Sequence, residues 1–163
     1  MSELLFRSAD QRFGLRISLD TVDHMAALCR MANRAETGGI LAGRYSERHD
    51  CAVVTEVTGP PPDSRSGPTW FKRGVRGLQQ LIERLWRLDR SFYLGEWHYH
   101  PYGSPRPSTT DIKQMSLISA NDSYSCPEPI LVILGGDPNA DLDISVFVFQ
   151  RGESYLELPR VIE

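Results

Sequence analysis

Two histidines two positions apart, with an aspartate downstream, most constrain how this chain can fold. His98 and His100 are separated by one residue, and Asp111 follows in a segment that begins at Ser108. Alternate side chains of a strand share one face, so a strand here would point both imidazoles the same way. A helix beginning at Ser108 would swing Asp111 back toward them. Two histidines and one acidic residue form a ligand set used by catalytic zinc, which keeps a further position for water.

The hydrophobic pattern of the whole chain predicts an α/β (α+β) fold, in which a mixed β-sheet is flanked by helices. The predicted strands cover residues 3–8, 12–19, 38–45, 51–58, 92–101, 130–134, 144–150 and 155–161. The predicted helices cover residues 21–33, 74–90 and 108–119. We expect Asp20 to cap the first helix, with Asp23 completing a capping box. Residues 59–73 include three consecutive prolines and are predicted to be irregular.

Length, charge and cysteine content narrow the class of protein. The 163 residues predict one domain over residues 1–163. A net charge of −3 disfavours nucleic acid as the main partner. The three cysteines are an odd number without a CxxC spacing, which predicts buried, reduced thiols. The amino terminus lacks an apolar segment of signal-peptide length and no run is long enough to cross a membrane, so we expect a cytoplasmic protein.

A bound water molecule also needs a base, and two glutamates are candidates. A carboxylate within hydrogen-bond reach can accept the proton of the attacking water and later deliver it to a leaving amine. Glu96 lies on the predicted strand face of the histidines, where it would orient an imidazole or remain a surface residue. Glu36 lies far upstream, just before a glycine-rich segment at residues 38–43. The spacing of residues alone leaves both candidates open.

Combined, these segments resemble the JAMM motif of the MPN+ zinc metalloproteases in the JAB superfamily. The matching residues are Glu36 with Gly38-Gly39-Ile40-Leu41-Ala42-Gly43, then His98-x-His100-Pro101, then Ser108-x-x-Asp111. The resemblance implies that His98, His100 and Asp111 bind one Zn²⁺ per chain. It also implies that Glu36 is the general acid/base and that Ser108 donates a hydrogen bond to the oxyanion of the tetrahedral intermediate. The fold implied by this family is a mixed sheet with flanking helices.

Each part of the motif also has a simpler explanation. Two histidines on a strand can be polar residues on a solvated face, and Ser108-x-x-Asp111 is also a helix capping box. Gly38-Gly39 can serve a tight turn or close packing, and Glu36 can be an ordinary turn residue. Four independent explanations would have to hold together for the chain to lack a metal site. Capping and metal binding do not exclude each other, since Ser108 can begin a helix while Asp111 faces the metal.

A longer segment narrows the resemblance further. Gly95-Glu96-Trp97-His98-x-His100-Pro101, with Pro107-Ser108, resembles most closely the bacterial stand-alone proteases of CBASS anti-phage operons. This resemblance implies a deconjugating isopeptidase that removes the carboxyl-terminal tail of a conjugated CD-NTase from its targets. From the net charge and the lack of long apolar runs, we expect no nucleic acid or membrane as partner. One alternative is a JAMM hydrolase of a ubiquitin-like sulfur-carrier protein or a small amide. The other alternative is a metal-free MPN scaffold.

The aromatic residues outside the motif carry one further prediction. Trp70 and Phe71 lie at the end of the proline-rich segment rather than on a periodic face. They are predicted either to anchor this loop or to contact the tail of the substrate. An extended tail can bind by β-augmentation, in which it pairs with an edge strand or loop. Trp86 and Trp97 are predicted to pack in the core or against a helix.

Overall fold

The computed structural model describes residues 2–162, so Met1 and Glu163, the two ends of the predicted domain, lie outside the described residues. Three α-helices are found in this range: Leu19–Ala32 (α1), Leu78–Asp89 (α2) and Thr109–Ala120 (α3). The strands within the same range are Glu3–Arg7 (β1), Gly14–Ser18 (β2), Thr37–Tyr45 (β3), Ala52–Val57 (β4), Arg65–Gly67 (β5), Trp70–Lys72 (β6), Phe92–Pro101 (β7), Ile130–Gly136 (β8), Asp143–Val148 (β9) and Leu156–Glu157 (β10).

Eight of these strands form one mixed sheet in the order β1-β2-β4-β3-β7-β8-β9-β10. Strands β2 and β4, and strands β7 and β8, pair in parallel, while the other neighbours are antiparallel. The sheet is curled, so that β1 meets the chain after β10. Arg7 N–H donates to Pro159 C=O at 3.0 Å, and Val161 N–H donates to Leu5 C=O at 2.8 Å. The outer edge of β1 is therefore hydrogen bonded to the chain that follows β10. The predicted mixed sheet with flanking helices is confirmed.

Strand β7 lies at the centre of this sheet, between β3 and β8. Its alternate side chains Trp97 and Tyr99 are fully buried in the main core, which also includes Met25 and Cys29 of α1. A smaller apolar cluster includes Met115 of α3 and lines β8 and β9. Because Trp97 and Tyr99 face the main core, the intervening His98 faces the opposite side of the sheet. This arrangement places the histidines on a buried central strand.

Two local predictions are wrong. Ser18, rather than Asp20, caps α1: its hydroxyl accepts a hydrogen bond from Thr21 N–H at 3.1 Å. The reason is that β2 runs directly into the helix, so the last strand residue takes the capping position. Residues 65–72 are also not irregular, because β5 and β6 form an antiparallel hairpin. The three prolines precede this hairpin and leave its backbone free to pair.

Other predictions have mixed outcomes. Trp97 is a core residue, as predicted, but Trp86 is half-exposed, with the guanidinium of Arg90 lying 5.0 Å from the centre of its ring. The three cysteines are free and buried, as predicted. Among residues 2–162, none of the helices has the length and apolar character needed to span a membrane.

Candidate metal centre and active site

Strand β7 carries the two histidines to the site. His98 is opposite Gly38 of β3 on one side and Ile133 of β8 on the other. His98 is buried, whereas His100, near the end of the strand, is partly exposed. The two imidazoles thus share a face of the sheet, and the second of them reaches the solvent. The strand prediction for residues 92–101 is confirmed with the same bounds.

Helix α3 supplies the aspartate through its own capping interaction. The Ser108 hydroxyl accepts a hydrogen bond from Asp111 N–H at 3.0 Å, and the Asp111 carboxylate accepts one from Ser108 N–H at 2.9 Å. These reciprocal bonds form a capping box, which fixes the first turn of the helix. The Asp111 side chain is buried against the histidines rather than turned to solvent. Asp111 therefore completes the capping box and contacts the two histidines at the same time.

The three side chains form one compact cluster. Asp111 Oδ1 lies 2.9 Å from His98 Nδ1, and Asp111 Oδ2 lies 3.1 Å from His100 Nε2. One ligand atom of each residue lies within 4.8 Å of the other two. Two imidazole nitrogens and a carboxylate oxygen this close fit one tetrahedral ion with metal–ligand distances of about 2.0–2.2 Å. The donor set thus fits a metal ion.

The carboxylate of this cluster is held in its ionised form. Burial alone would raise the pKa of Asp111, but the hydrogen bonds with His100 and His98 outweigh burial and hold it well below its usual range. Burial lowers the pKa of His100, while the hydrogen bond with Asp111 raises it, and the net direction is upward. An ionised carboxylate beside two imidazoles attracts a divalent cation.

Glu36 lies beside this cluster at the start of β3. Its side chain is 8% exposed, and its backbone N–H donates a hydrogen bond to Gly67 C=O at 2.9 Å. Burial raises the pKa of its carboxyl group; the nearby His100 opposes this rise and the Asp111 carboxylate adds to it. The pairing of β3 with β7 brings Glu36 near His100, although the two residues are distant in sequence. A buried carboxylate with a raised pKa suits general acid/base chemistry.

A glycine keeps β3 close to the first histidine. A Cβ atom on Gly38 would lie 2.2 Å from the carbonyl oxygen of Trp97 and 3.1 Å from the imidazole of His98. The first of these contacts is with backbone, which cannot move aside without shifting β7. The absence of a side chain at Gly38 is thus a requirement of the packing around His98.

We expect Gly38→Ala to lower the free energy of unfolding by about 1–3 kcal/mol, the usual cost of overpacking. It should also weaken metal binding, because β7 must shift at His98. Urea denaturation and metal analysis of the purified protein measure these two effects. Gly59→Ala is the matched control, since its Cβ would meet only side-chain atoms of Leu28, at 3.4 Å and beyond. Equal effects of the two substitutions would contradict this role of Gly38.

The prediction that Glu96 is a surface residue is wrong, and its carboxylate contacts Arg73 and Tyr93 rather than an imidazole. Glu96 is buried, forms an ion pair with Arg73 and accepts a hydrogen bond from the Tyr93 hydroxyl at 2.6 Å. Burial raises the pKa of Glu96, while the charge of Arg73 and the Tyr93 hydrogen bond oppose that rise. No pattern in the sequence indicates that Arg73 pairs with Glu96, because only the fold of the hairpin brings Arg73 to β7.

The two predicted substrate contacts, Trp70 and Phe71, lie on β6 but face opposite sides of the hairpin. Trp70 is 46% exposed, whereas Phe71 is 4% exposed. The Phe71 ring meets the His98 imidazole edge-on, with ring centres 5.5 Å apart. Alternation along β6 turns Phe71 inward against a histidine of the cluster, which agrees with the predicted role of anchoring the loop. Trp70 remains available at the surface.

Known proteins resemble this chain over most of its length. Residues 18–147 match the family described as prokaryotic homologs of the JAB domain. A "CD-NTase/cGAS isopeptidase" of Enterobacter hormaechei subsp. hoffmannii is 42% identical over 162 residues, covering 99% of this chain and 89% of that protein. A protein of the same name from Escherichia coli is 32% identical over 105 residues, 62% of each chain.

Two further similarities are more distant. The "Probable metalloprotease y4qB" of Sinorhizobium fredii is 28% identical over 106 residues, which cover 63% of this chain and 64% of that protein. The solution structure of protein DSY2949 from Desulfitobacterium hafniense superposes with a TM-score of 0.65, at 21% identity, over 88% of this chain and 87% of that one. This last likeness concerns the fold alone. The family match, together with the whole-length relative, confirms the resemblance seen in the motif: the chain belongs to the family of prokaryotic homologs of the JAB domain.

Proposed function

We propose that this protein is a zinc-dependent isopeptidase or peptidase of the JAMM type. The proposal is supported by the cluster of His98, His100 and Asp111 and by the pairing of β3 with β7, which brings Glu36 toward that cluster from a distant part of the chain. A metal-free scaffold has no need for three ligand-type side chains within 4.8 Å of one another. The whole-length relative named an isopeptidase supports the same activity.

The ion would be held by His98, His100 and Asp111. Proton transfer would fall to Glu36, and stabilisation of the oxyanion to Ser108. Zn²⁺ in such a site supplies a Lewis acid and lowers the pKa of its water to about 7. Glu36 accepts a proton from the attacking water and delivers it to the leaving amine, so its carboxyl group ends as it began. The Ser108 oxygen already accepts from Asp111 N–H. Its own hydroxyl proton is therefore free to stabilise the oxyanion of the substrate.

We infer that the substrate is a protein conjugated through the carboxyl-terminal tail of a CD-NTase, cleaved in the cytoplasm as part of CBASS anti-phage defence. Two relatives whose names contain "CD-NTase/cGAS isopeptidase" support this class of substrate. An extended tail needs a strand edge with which to pair. The outer edge of β1 is bonded to residues 159–161, whereas the hairpin β5–β6 lies beside Glu36 and His98. The hairpin is thus the nearer platform for the tail.

The test is cleavage of a fusion in which a CD-NTase tail is joined by an amide bond to a reporter protein. We expect cleavage directly after the tail, loss of activity with a chelator and recovery with Zn²⁺. Metal analysis should give one zinc per chain. A ubiquitin-like sulfur-carrier fusion and a small amide are the comparison substrates. Preferred cleavage of either would replace the CD-NTase assignment, and a protein that purifies without metal and cleaves none of them would overturn the enzyme assignment.

Trp70→Ala should raise KM for the tail fusion about tenfold or more while leaving kcat nearly unchanged. A half-exposed indole beside the site offers the tail a large contact area, and loss of such a contact costs binding of the order of 1–3 kcal/mol. Steady-state kinetics measure the effect. Trp86→Ala is the matched control, since this residue is 48% exposed but lies on α2. Equal KM values for Trp70→Ala and the wild type would remove Trp70 from the substrate site.

A further inference from the structure

The hairpin β5–β6 contacts two parts of the active site at once. Gly67 C=O accepts the hydrogen bond from Glu36 N–H at 2.9 Å, and the Phe71 ring lies edge-on to His98. One contact involves the residue proposed as the base, and the other involves a residue proposed as a metal ligand. Any movement of this hairpin would therefore reach both of them. What holds the hairpin in place bears directly on the reaction.

The base of the hairpin is closed by short-range hydrogen bonds. Gly74 N–H donates to the Ser64 hydroxyl at 2.8 Å, which joins the residue before β5 to the chain after β6. The Asp63 carboxylate accepts hydrogen bonds from Val75 N–H at 3.1 Å and Arg76 N–H at 3.0 Å. These bonds hold the two ends of the hairpin together. They do not attach the hairpin to the main sheet, because all of these residues belong to the segment around the hairpin itself.

Besides its contacts with Glu36 and His98, the hairpin accepts a hydrogen bond at Phe71 C=O from the Gln114 side chain of α3, at 3.5 Å. Arg73 makes the buried, charged attachment. It directly follows β6, and its Nε donates to the Glu96 carboxylate of β7, two residues before His98. Its other nitrogens donate to Gly74 C=O at 2.7 Å and to the Tyr124 hydroxyl at 2.8 Å. The side chains of Arg73 and Glu96 are 9% and 4% exposed. One guanidinium thus joins the hairpin, β7 and the turn after α3 in a buried network.

We propose that the buried Arg73–Glu96 ion pair is a positioning device, which fixes the hairpin β5–β6 against β7 so that Gly67 orients Glu36 and Phe71 orients His98. Arg73 and Glu96 act through these neighbours and touch neither the substrate nor the metal ion. The kinetic part of this inference rests on the proposed amide hydrolysis. The structural part, the control of Glu36 by the hairpin, does not.

Physical chemistry favours a positioning role over a stabilising one. Burying two charges costs desolvation energy, so neutral replacements of similar size are often tolerated or even stabilising. A buried pair contributes little net stability, yet its hydrogen bonds select one arrangement of the groups it joins. Misplacement of a catalytic group by about 1 Å can cost on the order of a hundredfold in rate. The pair should therefore matter more for turnover than for folding.

The test is the double variant Arg73→Met/Glu96→Gln, which removes both charges and leaves neither unpaired. We expect kcat for the tail fusion to fall on the order of a hundredfold, while KM changes less and the chain keeps one metal ion. Amide hydrogen exchange, followed by NMR, should become at least about tenfold faster at Glu36 N–H, because its acceptor on Gly67 is no longer held. This exchange measurement requires no substrate. It thus tests the hairpin even if the proposed substrate or reaction is wrong.

The matched control is Arg106→Met/Glu157→Gln, which makes the same substitutions in an exposed ion pair with a 2.8 Å contact. This control should leave kcat and the exchange at Glu36 unchanged. Unchanged exchange at Glu36 in Arg73→Met/Glu96→Gln would overturn the proposal, as would a change confined to KM, the pattern expected for Trp70→Ala.

Arg73→Lys is a second variant, for the case in which the double variant fails to fold. It keeps a positive charge opposite Glu96 but lacks the guanidinium fork that also reaches Gly74 and Tyr124. We expect a smaller loss of kcat and a smaller rise in exchange at Glu36, both in the same direction. Wild-type values of both quantities in Arg73→Lys, with the double variant unfolded, would assign the pair a purely structural role and overturn the proposal.

Discussion

Glu36→Gln should abolish turnover while the metal ion stays bound. The substitution keeps the size of the side chain and the backbone hydrogen bond to Gly67, but the amide cannot accept a proton from water. General acid/base catalysis contributes roughly 10²- to 10⁴-fold, and Glu36 is proposed to act in both directions, so we expect kcat to fall at least about a thousandfold. Single-turnover kinetics on the tail fusion, with metal analysis of the same sample, measure both quantities.

Glu56→Gln is the control for this substitution, since Glu56 is an exposed glutamate of β4. It should keep wild-type kcat and metal content. A Glu36→Gln variant that retained more than a tenth of the wild-type kcat would assign the base to another group. Loss of metal from Glu36→Gln would instead indicate that Glu36 is a ligand, a role that the proposal does not give it.

Asp111→Ala should lose the metal ion and the activity together. The carboxylate contacts both imidazoles and also caps α3, so its removal opens the ligand set and the first turn of the helix. Removing a group that merely supports a ligand already costs about 10- to 100-fold in metal affinity, so removal of a ligand should cost more than about a hundredfold. Loss of the cap should also cost about 1 kcal/mol of stability. Competition with a zinc chelator and urea denaturation measure the two losses.

Asp111→Asn separates these two effects. Its amide oxygen can still accept the hydrogen bond from Ser108 N–H, so stability should stay close to that of the wild type. Its charge is gone, so metal affinity and activity should still fall. Full metal content in Asp111→Ala would show that the cluster of His98, His100 and Asp111 is not the metal centre, and the proposed reaction would lose its basis.

Much of this site could be predicted because the relevant patterns are local. The alternation of β7 places His98 and His100 on one face, and the capping box predicts the helix that contains Asp111. Strand β7 and helix α3 are close in sequence, so a single short loop brings them together. Glu36 was different, since no local pattern brings it to the histidines. Only its resemblance to a known motif singled it out.

The hairpin and its ion pair could not be predicted in the same way. Three residues per strand are too few to show an alternating pattern, and the prolines at 60–62 suggested an irregular segment. Arg73, the partner of Glu96, directly follows a strand that was not predicted, so no pattern in the sequence indicated this ion pair. Ser18 was missed as the cap of α1 for a related reason: a strand that ends directly in a helix leaves no turn to mark the boundary.

The curl of the sheet also has a consequence for how the protein is made. Strand β1 is synthesised about 150 residues before residues 159–161, with which its outer edge pairs. At roughly 5–20 residues per second, the ribosome leaves that edge without its partner for on the order of ten seconds. Exposed strand edges recruit other chains. We therefore expect chaperones that shield nascent strands to improve the yield of this protein more than they would for a fold closed by neighbouring segments.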